Sequence, residues 1–295
     1  MERLAIALTG QDEICLLGRD LGIDERIALR GDIRQGPKRL VYWEGCLYVA
    51  NLFSGSVCKI DLMTKEQREL CIGKYMTGIG RAGGKLFAIC GETDSLFAID
   101  LENFECIERL QTGDFPLYLS VSPCERYLVI SCLGDKSVYV VDTSTLETVR
   151  KIQLDSSVYC GAMDEEQNLY IAHEDPESWQ SGKLTKLDAD GKVVFELSIG
   201  NMPNDICLSE NWVGVSCMEK RTLTVAHRET GSVVFQTDEI PMPDQLAFCR
   251  QGVVALSMAV DRVFYIDMSG KTVKSRKVGK EPRGICLISE EEKDA

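Results

Sequence analysis

The sequence predicts an all-β fold, a closed ring of seven four-stranded antiparallel blades, and three observations carry that prediction. A pattern of four short apolar runs recurs with a period of about 40 residues. Turn residues separate the runs, and no long helical periodicity interrupts them. The chain opens with three runs that lack a first one, and it closes with a first run that lacks the other three. Together these are the signature of a β-propeller.

The first runs are GPKRLVYW from Gly36, YMTGIGRA from Tyr75, FPLYLSVS from Phe115, SVYCGAMD from Ser157, MPNDICLS from Met202, MPDQLAFC from Met242 and EPRGICLI from Glu281. Their reference positions are 37, 76, 116, 158, 203, 243 and 282, spaced by 39, 40, 42, 45, 40 and 39 residues. Each is followed by a hairpin of the type LYVANLFSGSVCKIDLMTKE, which starts at Leu47. The third run ends near an Asp (Asp61, Asp100, Asp142, Asp188, Asp267). Five copies of one acid suit an Asx turn, in which the carboxylate caps backbone N–H groups two residues on, better than catalysis. The opening RLAIALTGQDEICLLGRDLGIDERIALRGD and the closing EPRGICLI combine into one blade, from about residue 3 to 32 plus 282–288. Such a blade ties the termini together and removes open sheet edges. No linker or composition shift divides the chain, so 1–295 reads as a single domain.

The run LYVAN at Leu47–Asn51, and SVYVVDTSTLETVRKI at Ser137–Ile152, resemble the YVTN repeat of seven-bladed propellers, the YncE-like family. The resemblance spans essentially the whole chain. It implies the propeller fold and leaves the activity open, because related propellers include lactonases, quinone-dependent dehydrogenases and WD40-like binding scaffolds.

Composition narrows the function classes. The formal net charge of -13 disfavours nucleic acid and anionic membranes. No run approaches 18 apolar residues, and the first residues do not read as a secretion leader. The 13 cysteines include no CxxC pair, and most lie inside strand patterns such as LFAIC and LVISC. They read as reduced thiols that behave as small core residues, in a cytoplasmic protein. A monomer is expected. No phosphate-binding glycine loop or GxSxG serine motif is present, and two histidines are too few for a poly-histidine metal site.

In a propeller the first strand of each blade lines the central tunnel, so the residues just past each reference position should ring its mouth. These include Lys38, Arg39, Thr77, Leu117, Tyr118, Tyr159, Asn204, Asp205, Asp244, Gln245 and Arg283. The next rings inward, Leu40 to Ile285 and Val41 to Cys286, are expected to pack the bore. Lys38, Arg39 and Arg283 form a basic side suited to a carboxylate, and Asp205 and Asp244 an acidic side suited to an amine. Tyr118 and Tyr159 could stack. The stretch HEDPESWQSG, residues 173–182, reads as the longest loop of this face, with His173 and Trp179 as recognition residues and Leu52 and Phe53 extending the patch. The expected function is a non-catalytic scaffold that binds a peptide or protein segment and needs no cofactor. The alternative is a lactonase-like hydrolase with a Ca²⁺ or other divalent cation on Asp205, Asp244 and Glu281.

Overall fold

The computed structural model describes residues 3–288 except 19, 220, 250 and 251, together with the backbone but not the side chain of Trp179. The described residues form 28 strands in seven four-stranded sheets. Blade 1 contains β1 (Arg3–Leu8), β2 (Glu13–Leu17) and β3 (Ile23–Ala28). Blade 2 runs β4 (Pro37–Trp43), β5 (Cys46–Asn51), β6 (Ser56–Asp61) and β7 (Gln67–Cys71). Blade 3 runs β8 (Met76–Ala82), β9 (Lys85–Cys90), β10 (Ser95–Asp100) and β11 (Glu105–Gln111). Blade 4 runs β12 (Pro116–Val121), β13 (Tyr127–Cys132), β14 (Ser137–Asp142) and β15 (Thr148–Gln153). Blade 5 runs β16 (Val158–Met163), β17 (Leu169–Asp175), β18 (Ser178–Leu187) and β19 (Val193–Ile199). Blade 6 runs β20 (Pro203–Leu208), β21 (Trp212–Cys217), β22 (Thr222–His227) and β23 (Val233–Thr237). Blade 7 runs β24 (Pro243–Cys249), β25 (Gly252–Ser257), β26 (Arg262–Asp267) and β27 (Thr272–Lys277). The last strand, β28 (Pro282–Ile288), returns to blade 1 and pairs antiparallel with β1, from Arg3↔Ile288 to Leu8↔Pro282. Every inner strand starts at its reference position.

The strands read as unbroken apolar runs because both faces of each blade are covered. Side chains alternate along β1, so Leu4, Ile6 and Leu8 pack against Val254, Leu256 and Val263 of blade 7. Ala5 and Ala7 turn the other way, onto Leu47, Val49 and Ile60 of blade 2. The fourth strands face water on the ring's perimeter, and β11 is exposed at six of its seven residues.

The Asp at the end of the third strand is the corner cap the sequence implies. Asp61 Oδ1 accepts the N–H groups of Met63 at 2.8 Å and Thr64 at 2.7 Å. Asp100 accepts from Asn103, Asp142 from Ser144 and Thr145, Asp188 from Lys192 and Asp267 from Ser269. These N–H groups and the Ser144 and Ser269 hydroxyls hold Asp142 and Asp267 below the ordinary carboxylate range.

All thirteen cysteines are thiols outside any disulfide, and six are buried. Burial pushes the thiol of Cys15 up to about 11 and those of Cys58, Cys132 and Cys217 up to about 12. The folded chain therefore keeps thiol protons that the unfolded chain loses above its ordinary thiol value. The resulting stability is complete at neutral pH and is lost as pH rises toward 11–12. Urea melts are expected to show a lower midpoint at about pH 10 than at about pH 8 in the presence of reductant. Equal midpoints would count against thiol linkage.

Candidate functional site

Seven repeats of one backbone device shape the tunnel mouth. Immediately past the first residue of every inner strand the pairing register slips by a β-bulge, for example between Pro37 and Arg39, Met76 and Gly78, and Pro203 and Asp205. The slip recurs at Pro116, Val158, Pro243 and Pro282. A bulge leaves one residue unpaired and re-aims it. The bulged residues here include Lys38, Thr77, Leu117, Tyr159, Asn204 and Arg283. Proline suits the start of each strand because no ladder N–H is required there.

The residue before the inner strand carries a second device. It has positive φ at Gly36 (65°), Tyr75 (60°), Phe115 (51°), Met202 (52°), Met242 (46°) and Glu281 (51°). For bulky L-residues this conformation costs about 1–2 kcal/mol each. Only Gly36 adopts it freely, and a Cβ there would lie 2.2 Å from the ring of Phe53. The conformation sets Tyr75, Phe115 and Met202 on the rim, where Tyr75 is 41% and Met202 37% exposed. Tyr75 and Phe115 form a tilted pair with ring centroids 6.0 Å apart.

Below the rim a charged bridge crosses the tunnel. Arg39 of blade 2 reaches Asp205 of blade 6 on the far side, Nη1 to Oδ1 at 2.8 Å. The second oxygen of Asp205 accepts the Leu246 N–H at 2.9 Å. Tyr118 of blade 4 lies under the guanidinium at 5.0 Å and donates its hydroxyl to the Ile206 carbonyl at 2.9 Å. Arg39 is 9% exposed and Asp205 1%. Burial works against the Arg39 charge, but Asp205, Tyr118 and Asp244 more than offset it, so the guanidinium stays protonated. Side chains from blades 2 and 4 thus both reach blade 6 and cross the tunnel, forming the floor of a polar cup.

Inside the cup stand Lys38, Arg283, Asn204 and Asp244. Asn204 donates Nδ2–H to Asp244 Oδ1 at 2.5 Å. Gln245 accepts the Ile285 N–H at 2.5 Å and so ties blade 7 to blade 1. Neither Lys38 nor Arg283 makes an ion pair within 4.0 Å among the described residues. The Nε of Arg283 is buried without a hydrogen-bond partner there. Desolvation, then the positive charges of Arg39 and Arg283, push the Lys38 ammonium down to about 7 against the pull of Asp244. Burial raises the Asp244 carboxyl, opposed by Arg39, Arg283 and Lys38.

The other residues singled out from sequence lie apart from this cup. Residues 173–182 belong to a hairpin that extends blade 5, with β17 and β18 paired out to Asp175↔Ser178, rather than to an open loop. The extra residues continue the ladder because pairing satisfies their backbone groups. His173 is 5% exposed, with Nδ1 2.9 Å from Ser156 Oγ and 2.7 Å from the Glu174 carbonyl, and Nε2 2.9 Å from Thr185 Oγ1. Tyr159 donates its hydroxyl to Glu174 at 2.9 Å. Trp179 sits on β18 with its side chain outside the described residues. Leu52 is buried, and Phe53 lies under Arg34 at 4.4 Å. Leu40, Ile206 and Ile285 pack between blades rather than into the bore, because the bulge sets the alternation that follows it. The residues one step on, such as Val41, Ser120 and Cys207, are only partly covered.

The three carboxylates of the hydrolase alternative do not converge on a free donor set. Asp205 is taken by Arg39 and Leu246, and Asp244 by Asn204. Glu281 is exposed on the rim, its N–H donated to Asp261. A hard cation wants several uncommitted oxygens. Among the described residues no group of three His, Cys, Asp or Glu could hold a metal, and no helix is long and apolar enough to cross a membrane.

Fold and mouth together define a seven-bladed β-propeller with a polar cup at one end of its tunnel. No family model matches the chain, and no curated protein matches it. Among solved structures it is similar to the Kuenenia stuttgartiensis hydrazine synthase, with a TM-score of 0.76, 17% identity and coverage of 87% of this chain and 90% of that one. A functionally unknown protein from Desulfotomaculum acetoxidans also matches with a TM-score of 0.76, at 12% identity over 97% of this chain and 99% of that one. The Moraxella catarrhalis BamB matches with a TM-score of 0.67, at 12% identity over 97% and 86%. At such identities the likeness is one of fold.

Proposed function

We propose that this chain, a YVTN-type propeller by its repeat motif, is a non-catalytic scaffold that takes a peptide or protein segment at the tunnel mouth. The observation that carries the reading is the cup. Its cations Lys38 and Arg283 have no close anionic partner among the described residues, its floor is crossed by Arg39–Asp205, and its rim is aromatic. A hydrolase would need an activated nucleophile or a convergent free donor set, and the chain's own groups already engage both oxygens of Asp205 and one of Asp244. Desolvated cations framed by exposed aromatics are what interface anchors look like. Thirteen cysteines without a disulfide support a reducing, cytoplasmic location.

The test is selection of random displayed peptides on immobilised, reduced protein, with affinities read by fluorescence anisotropy. Selected peptides are expected to bind the wild type and to lose about tenfold or more on Lys38→Glu, because reversing a desolvated partner charge costs more than ~1.4 kcal/mol. Peptides that bind Lys38→Glu equally well would move the site away from the mouth, and an empty selection would count against peptide recognition.

A further inference from the structure

Three features of the mouth point to a ligand: two cations with no ion pair within 4.0 Å among the described residues, a floor of side chains across the tunnel and a partly exposed aromatic rim. Building on the reading of the mouth as a peptide site, we propose that it receives a free peptide C-terminus ending in an apolar residue. Lys38 and Arg283 hold the terminal carboxylate, and the last side chain lies on the Tyr75–Phe115 pair.

Charge selects the ligand's anion. Lys38, Arg39 and Arg283 face Asp205 and Asp244, so the ionised cup carries one more positive than negative charge. One carboxylate neutralises it. A phosphate dianion would leave a net negative charge in a desolvated site, which is costly. The planar Arg283 guanidinium and the Lys38 ammonium are the donors a carboxylate requires.

The floor selects a chain end. Arg39 spans from blade 2 to blade 6, so a polypeptide threading the tunnel would have to break this bridge, whereas a chain end entering the mouth leaves it intact. A C-terminus carries its carboxylate and last side chain on one Cα. The Lys38 ammonium lies 6.0 Å from the Tyr75 ring centroid, close enough for one residue to touch both. Asp244 has one oxygen taken by Asn204 and a second to accept the terminal amide N–H.

The rim aromatics fit a binding role. Tyr75 and Phe115 hold φ of 60° and 51°, where blade 2 uses Gly36, yet Tyr75 remains 41% exposed. The same turn recurs at Met202, Met242 and Glu281 and so belongs to the repeat; particular to Tyr75 and Phe115 is that it carries two aromatic rings to the rim, where they pack on each other and keep a face toward solvent. Such a pair offers an apolar side chain a surface to lie on.

Lys38 adds a pH signature. It faces Arg39 on its own strand, Asp244 on β24, Arg283 on β28 and the ring of Tyr75 before β8. Burial and the neighbouring cations push its ammonium down to about 7, and a bound carboxylate favours the protonated form. Binding should take up protons, and affinity should fall as pH rises from about 6.5 to 8.5, by at most about tenfold per unit.

The experiment uses two displayed libraries of the same random sequence on the full chain, one ending in a free carboxylate and one with an amidated terminus. Enrichment is expected only from the free-acid library, with Leu, Met, Phe or Val last. Synthetic hits should lose at least tenfold on amidation and on Arg283→Met. Tyr75→Gly should weaken them while leaving the melting temperature equal or higher, which a purely structural tyrosine would not do. Hits that bind equally well when amidated would overturn the C-terminal proposal and leave peptide binding at the mouth standing. Hits indifferent to Lys38→Glu, or none from either library, would overturn both.

Discussion

Truncation after Glu281 is expected to abolish cooperative folding, although among the described residues it removes one strand of 28. Strand β28 supplies the inner edge of blade 1 and pairs with β1 over six residues. Its loss opens the ring, strips one side of Leu4, Ile6 and Leu8, and removes Ile285 from the core between blades 7 and 1. An exposed apolar β1 is a template for aggregation. The truncated chain should elute as aggregate and show no cooperative melt. Moving residues 282–288 in front of Arg3 through a short turn should restore both, because Ile288 and Arg3 are register partners. A truncated monomer that melts like the full chain would refute closure as the source of stability.

Asp205→Ala is expected to be the most damaging point substitution at the mouth, at about 3–5 kcal/mol. It leaves the Arg39 guanidinium buried without its carboxylate and removes the acceptor of the Leu246 N–H. For a domain of this size the melting temperature should fall by roughly 10 °C. The double variant Arg39→Met with Asp205→Leu should recover most of the loss, because two apolar groups need no desolvated partner. A single variant that melts within a degree or two of wild type would mean that the cross-tunnel pair is not formed in solution.

The repeat was legible in the sequence because both faces of every blade are buried. Buried strands write apolar runs, corners write Asp, and the period of the pattern is the period of the ring. The seven inner strands begin where the reference positions put them, from Pro37 to Pro282. Closure was legible too, since three unpartnered runs at one end and one at the other can satisfy their edges only together. The charged mouth followed from the same register: Lys38, Arg39, Asn204, Asp205, Asp244 and Arg283 come from four blades and meet in one cup.

Which of those groups pair, and which stay unpaired, depended on tertiary structure alone. Sequence places Arg39 beside Lys38, but the bulge sends one across the tunnel to Asp205, 166 residues away, and leaves the other in the cup. His173 looked like a recognition residue until the ladder of β17 and β18 enclosed it. Tyr75 and Phe115 carry no motif, and only their left-handed backbone turns them onto the rim. Local patterning thus fixed the strands and their count, because hydrophobic period and turn chemistry act over a few residues. The chemistry of the mouth was decided by distances between blades, which no local pattern records.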